Sequence, residues 1–231
     1  MIVYTHGGSC TSESAWSSIP CSALVAATTG IRVLSIDYTL APHQQWDETT
    51  SQVARVIAAV IDDDRAIDRV AAMGDSAGRA LVAGSVLRLR DELGRMPSAL
   101  VLWSPWADLT ESGDTYATLR SAEREYTYER HLSHSALAYA TVADQRHPYV
   151  SPVDGDFRPG FPPTLIQGGA RELLLSCFVR LYQWITTAGQ MATRDIYEGM
   201  IHVFQAELPD TLESKTAIGR SLRCRPSVGI P

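Results

Sequence analysis

At 231 residues the chain is long enough for one α/β domain with a full hydrophobic core, while two independent domains would be cramped. Apolar residues make up 45% and charged residues 20%, the balance of an ordinary globular protein. A net charge of −6, with no Lys/Arg cluster interleaved with aromatics, argues against a nucleic-acid surface, and no apolar run reaches the length of a membrane span.

The chain opens on Met1-Ile2-Val3-Tyr4-Thr5-His6-Gly7-Gly8. It has neither a basic n-region nor an apolar h-region, so no signal peptide is read and a cytoplasmic protein is expected. Short β-branched or apolar runs then alternate with longer amphipathic ones, the rhythm of a parallel sheet with crossover helices. The predicted strands are Ile2 to Tyr4, Arg32 to Ile36, Arg69 to Met73, Ala99 to Trp103, Thr164 to Gln167 and Thr193 to Tyr197. Most are apolar nearly throughout, as strands buried on both faces are. Helices are predicted over Asp47 to Ile61, where Val53, Val56, Ile57 and Val60 share a stripe, over Ala77 to Leu93, and over Glu172 to Ala188, stopped by Gly189. Residues 108–163 break the rhythm with Tyr116, Tyr126, Tyr128, Tyr139 and Tyr149 and a Gly/Pro-rich exit. An insertion of that length at the C-terminal edge of a parallel sheet predicts a lid or pocket wall. The tail from Arg223 to Pro231 abandons helical periodicity where a packed final helix would be expected.

Gly74-Asp75-Ser76-Ala77-Gly78 fits G-x-S-x-G, the pattern of a nucleophile elbow. Chance alone supplies such a match in roughly one chain in ten of this length. A predicted strand directly before it and a helix directly after it raise its weight. A serine hydroxyl needs a base to take its proton. Of six histidines, His202 lies just past the last predicted strand, whereas His131 and His134 fall on a polar helix of the insertion. The acid should follow the serine and precede the histidine. Glu172, after the Gly168-Gly169-Ala170-Arg171 loop, meets that order; Asp195 lies inside a strand, and Asp154 and Asp156 lie in a turn. A carboxylate at position 172 also suits a helix N-terminus. For the oxyanion, the backbone amides of Gly7, Gly8 and Ala77 are the expected donors, with His6 shaping the loop. Cys10, Cys21, Cys177 and Cys224 lie far apart without a C-x-x-C pair, which predicts free thiols and no metal site.

Together these pieces make the chain resemble the hormone-sensitive-lipase-like branch of the α/β-hydrolases, bacterial esterases with an HGGG motif. The resemblance is carried by His6-Gly7-Gly8, Asp37-Tyr38-Thr39-Leu40-Ala41-Pro42, the elbow, Ser104-Pro105-Trp106-Ala107-Asp108, Arg171-Glu172 and Glu198-Gly199-Met200-Ile201-His202-Val203-Phe204, in family order up to about residue 210. It implies a single α/β-hydrolase domain over 1–231: a mostly parallel sheet of about six strands flanked by helices, with a helical insertion over 108–163 before the acid-bearing strand. It also implies hydrolysis of short-chain acyl or aryl esters through an acyl-enzyme, without metal or organic cofactor. Ser9 departs from the third glycine of HGGG, Arg79 stands where a small residue is usual, and Cys177 where Asp or Asn is usual. The N-terminal cap and two upstream strands of the family are also missing, as in an N-terminally truncated member. The strand from Arg32 to Ile36 should then form an uncovered sheet edge, which invites association of copies into a homo-oligomer.

The same machinery serves amides and lactones, and the residues do not separate these substrates. A non-catalytic ligand-binding protein on this fold is a further reading, weakened by the retention of Ser, His and an acid. A fragment without function is another, suggested by the two unusual ends.

Overall fold

The computed structural model of the protein describes residues 1–63, 70–158 and 160–221. Its elements run β1 (Ile2–Thr5), α1 (Ile19–Thr29), β2 (Val33–Ile36), α2 (Trp46–Asp62), β3 (Ala71–Asp75), α3 (Ala77–Leu93), β4 (Ala99–Trp103), α4 (Thr115–Thr118), α5 (Ser133–Tyr139), β5 (Thr164–Gly169), α6 (Leu175–Thr187), β6 (Ala192–Tyr197), α7 (Phe204–Glu207) and α8 (Leu212–Ser221). The strands form one parallel sheet in the order β2-β1-β3-β4-β5-β6. All six predicted strands are there, within two residues at either end; Arg69 lies outside the described residues.

Strand alternation sorts the core into two layers. Val3, Ala72, Leu100, Leu102 and Ile166 face α2, α3 and α6. Ile2, Tyr4, Met73, Val101, Trp103 and Leu165 face the other way, onto Cys21 and Val25 of α1, Val203 and Ile218 of α8. Every residue of β4 is buried, and burying each large apolar side chain there contributes about 1.5–3 kcal/mol. β2 is the outer strand, with Val33, Leu34 and Ser35 only half-buried, as its predicted edge position requires.

α2 starts with Asp47 and Glu48 in its first turn, where carboxylates meet the positive end of the helix dipole. α3 fits its predicted bounds and ends on Gly94 in a left-handed conformation, the Gly94 amide donating to the Arg90 carbonyl. α6 begins at Leu175, three residues later than predicted, so Glu172 belongs to the loop before it. α1 and α8 were not foreseen. α1 buries only Cys21, Ser22 and Val25, too thin a stripe to show as a period. α8 is held over the sheet by Ser214 Oγ, which donates to the Phe204 carbonyl at 2.9 Å, and by Gln167 Nε2, which donates to the Ala217 carbonyl at 2.9 Å. Residues 223–231 and Cys224 lie outside the described residues; Cys10, Cys21 and Cys177 are free and buried. No helix of the described residues is long and apolar enough to cross a membrane.

Candidate active site

The segments that follow β1, β3 and β6 converge on one cavity of about 440 Å³, lined among others by Gly7, Gly8, Ser76, Tyr126 and His202. Ser76 sits at the β3–α3 turn with φ 51° and ψ −123°, a strained conformation for a residue with a Cβ. The turn is tight enough that a Cβ at position 74 would meet the Gly78 carbonyl, and α3 packs this close to the end of β1 only because position 78 is glycine: a Cβ there would run into the carbonyl oxygens of Thr5 and His6.

His202 Nε2 lies 2.9 Å from Ser76 Oγ, and His202 Nδ1 lies 2.7 Å from Glu172 Oε2. His202 is 5% exposed and Glu172 fully buried, so this line of contacts is shielded from water at its inner end. Two loops are stitched together to bring the pair into register. The Ala170 amide donates to the Tyr197 carbonyl at 2.9 Å and the Arg171 amide to the Met200 carbonyl at 3.2 Å, which sets the loop after β5 beside the loop after β6. Glu172 Oε1 accepts from the Gly169 amide at 2.5 Å and from Ser104 Oγ at 2.6 Å. Ser104 Oγ in turn accepts from the Val203 amide at 3.0 Å, bridging the acid to the residue after the histidine.

Ser104 was not singled out in the sequence, although it opens the Ser104-Pro105-Trp106 motif; its role depends on three loops meeting. Ser104→Ala leaves Glu172 Oε1 short of one charge-assisted donor and strands the buried Val203 amide, a loss of about 1–3 kcal/mol. Thermal unfolding of this variant should show a lower Tm, together with a fall in kcat at unchanged KM.

The first loop is shaped from beneath. Tyr38 Oη donates to the His6 carbonyl at 2.9 Å, and the His6 ring stacks on Tyr38 with centroids 4.3 Å apart. His6 is fully buried, which pushes its imidazole below its ordinary value, so it stays neutral and shapes the loop. Gly8 takes φ 91°, open to glycine at no steric cost, whereas the next residue, Ser9, takes φ 54°. Ala77 opens α3, and the amide of a first-turn residue has no partner within its own helix. Gly7 and Gly8 line the cavity with Ser76, and Ala77, the next residue in the chain, is fully buried.

His131 and His134 are exposed on the insertion, away from these groups. Asp195 bonds Gln167, Tyr197 and Arg220 instead of His202. Cys21 also lines the cavity, but burial pushes its thiol far above the ordinary value, leaving it protonated and a poor rival nucleophile. The cavity wall carries Glu13, Asp75, Glu125 and Glu207 and, among the described residues, no Lys or Arg. No group of His, Cys, Asp and Glu among the described residues could hold a metal ion.

A family model described as the alpha/beta hydrolase fold matches residues 2–206. The chain belongs to that family. This α/β-hydrolase is 32% identical over 217 residues to an acetyl-hydrolase of Streptomyces hygroscopicus, covering 94% of this chain and 72% of the relative. Among solved structures, an esterase from the bacterial hormone-sensitive lipase family superposes with a TM-score of 0.90 at 29% identity, over 96% of this chain and 75% of the other. An esterase/lipase from an uncultured bacterium superposes with a TM-score of 0.89 at 30% identity, over 96% and 74% of the two chains.

Proposed function

We propose that this α/β-hydrolase cleaves short-chain carboxylic esters by double displacement, with Ser76 as nucleophile, His202 as base and then acid, and Glu172 holding the imidazole. It is a carboxylic ester hydrolase by family and by relatives that are esterases and acetyl-hydrolases. The mechanism rests on one observation, the continuous line Ser76 Oγ–His202 Nε2 and His202 Nδ1–Glu172 Oε2 at 2.9 and 2.7 Å. A carboxylate can only accept, so Nδ1 carries the proton and Nε2 turns its lone pair to the serine. As Ser76 attacks, its proton passes to Nε2 and the imidazolium gains the Glu172 charge as partner. The carbonyl oxygen becomes an oxyanion, which the amides of Gly7, Gly8 and Ala77 receive. The alcohol leaves with the proton from Nε2, giving an acyl-Ser76 ester; water, activated by the same nitrogen, then releases the acid. Glu125 and Tyr126 bring residues 108–163 into the wall of the cavity, in the role of a lid-like segment.

The carboxylates on the cavity wall favour uncharged acyl groups, and the likeness to an acetyl-hydrolase supports short ones. Hydrolysis of p-nitrophenyl acetate, butyrate and octanoate tests this. The expected result is a kcat/KM that peaks at acetate or butyrate, with an initial burst of up to one p-nitrophenol per protein when deacylation limits. An ester of a dicarboxylic half-acid should turn over more slowly than its neutral isostere, and the gap should narrow with added salt. Rates no faster than buffer alone would instead favour a ligand-binding role. Fastest turnover of octanoate would overturn the short-chain assignment.

A further inference from the structure

The insertion supplies a contact that the Ser76–His202–Glu172 line does not require. Tyr126 Oη lies 2.7 Å from His202 Nδ1, the nitrogen that also faces Glu172 Oε2 at 2.7 Å. The two rings meet almost at right angles, 88° apart with centroids separated by 5.0 Å. The segment carrying Tyr126 is itself tied to the acid's loop. Glu123 Oε1 accepts from the amides of Arg124 and Glu125 at 2.8 and 3.1 Å, and Glu123 Oε2 accepts from the amide of Leu173, next to Glu172, at 3.2 Å.

An imidazole nitrogen has one in-plane position, filled either by a proton or by a lone pair. If Tyr126 donated to a lone pair on Nδ1, that lone pair would also face the Glu172 carboxylate at hydrogen-bond distance, and two acceptors would repel. The proton therefore sits on Nδ1, and Tyr126 Oη offers a lone pair as its second acceptor. Burial keeps the phenol neutral, well above its ordinary range, so it takes part as a dipole.

We infer that Tyr126 is a positioning residue: its Oη and the Glu172 carboxylate share the His202 Nδ1–H, so the insertion clamps the imidazole in the orientation that presents Nε2 to Ser76. The inference rests on the proposed roles of Ser76 and His202. Two acceptors on either side of one N–H resist rotation of the ring, and both interact more strongly with the imidazolium than with the neutral ring. Other titratable groups near His202 are Glu125, on the same segment, Asp75 beside Ser76, and Glu207 on α7, all lining the same cavity.

Tyr126→Phe keeps the ring and deletes the oxygen. Tyr128→Phe is the control, because Tyr128 Oη donates to the Leu109 carbonyl at 2.9 Å within the same insertion, without contact with His202. The expected result for Tyr126→Phe is a fall in kcat of about tenfold with KM held within about twofold, a size usual for one hydrogen bond to a charged group. Tyr128→Phe should lose similar thermal stability and show no such fall in kcat. The contact also has a readout independent of turnover: the low-field Nδ1 proton resonance, assigned by its loss in His202→Gln, should shift in Tyr126→Phe and stay in place in Tyr128→Phe. A resonance unmoved by Tyr126→Phe would overturn the shared hydrogen bond, whatever the activity. A shifted resonance with unchanged kcat, or with KM alone raised, would overturn the positioning role. Ester hydrolysis that persists in Ser76→Ala would remove the proposed function itself, leaving the resonance to decide the contact.

Discussion

Replacing Ser76 with alanine should lower kcat on p-nitrophenyl butyrate by about 10⁴–10⁶-fold, the range found when a Ser-His-acid site loses its nucleophile. The expectation is that large because nothing near Ser76 can substitute for it. Ser76 is the only hydroxyl in hydrogen-bond contact with His202 Nε2 among the described residues. Cys21, the other nucleophilic type on the cavity wall, is held as a neutral thiol by burial. The activated ester hydrolyses slowly in buffer, so the measurement is made against a protein-free blank and followed to saturation. His202→Ala should fall into the same range, and the double variant should be little worse than either single one, because residues acting as a unit do not contribute additively. A Ser76→Ala enzyme that keeps more than about a tenth of wild-type kcat, with the fold intact by circular dichroism, sinks the assignment of Ser76.

The second large effect is on stability, and its direction is upward. Arg79 is fully buried in the first turn of α3. Its Nε donates to the Gly74 carbonyl at 2.5 Å, but Nη1 and Nη2 have no hydrogen-bond partner among the described residues. Burial pushes the guanidinium down to about 9; Asp75 and Glu172 pull the other way and are outweighed. A charge held in that state costs folding free energy that no ion pair returns. Arg79→Met keeps most of the volume and removes the charge, and should stabilise the protein by about 1–4 kcal/mol. For a chain of this size, a gain of about 2 kcal/mol raises Tm by roughly 4–8 °C. The sign also predicts a pH dependence. A basic group with a depressed folded value is a destabilising one below that value, and its penalty eases as pH rises through it. The advantage of Arg79→Met should therefore be full at pH 7 and shrink above pH 9. A lower Tm for Arg79→Met at pH 7 would mean that the guanidinium's contact with Gly74 and its attraction to the two carboxylates outweigh desolvation after all.

Much of this protein could be read in one dimension. Short apolar runs placed most strands of the described sheet, because a strand buried on both faces must be apolar at nearly every position; β6, with Thr193, Arg194 and Asp195 in it, is only partly buried and carries that mark weakly. The elbow and the histidine loop were legible for a similar reason. A turn this tight excludes side chains at fixed offsets from the serine, so its geometry is written as Gly74 and Gly78. Short, locally determined features leave local marks.

What the tertiary structure decided are the meetings between distant segments. α1 and α8 rest on thin apolar stripes and on hydrogen bonds such as Gln167 Nε2 to the Ala217 carbonyl, 50 residues apart in the chain. Tyr38 supports the His6-Gly7-Gly8 loop from 31 residues away or more. Ser104 joins Glu172 to the Val203 amide, and Tyr126 reaches His202 across 76 residues. Arg79 was visible as a departure from a family pattern, but only its surroundings turned it into a buried, unpaired charge. The sequence by itself determined the parallel sheet, the elbow at Ser76 and the chain order of Ser76, Glu172 and His202. Which side chains aim that serine, and what it costs to bury them, depended on packing between loops that no periodicity records.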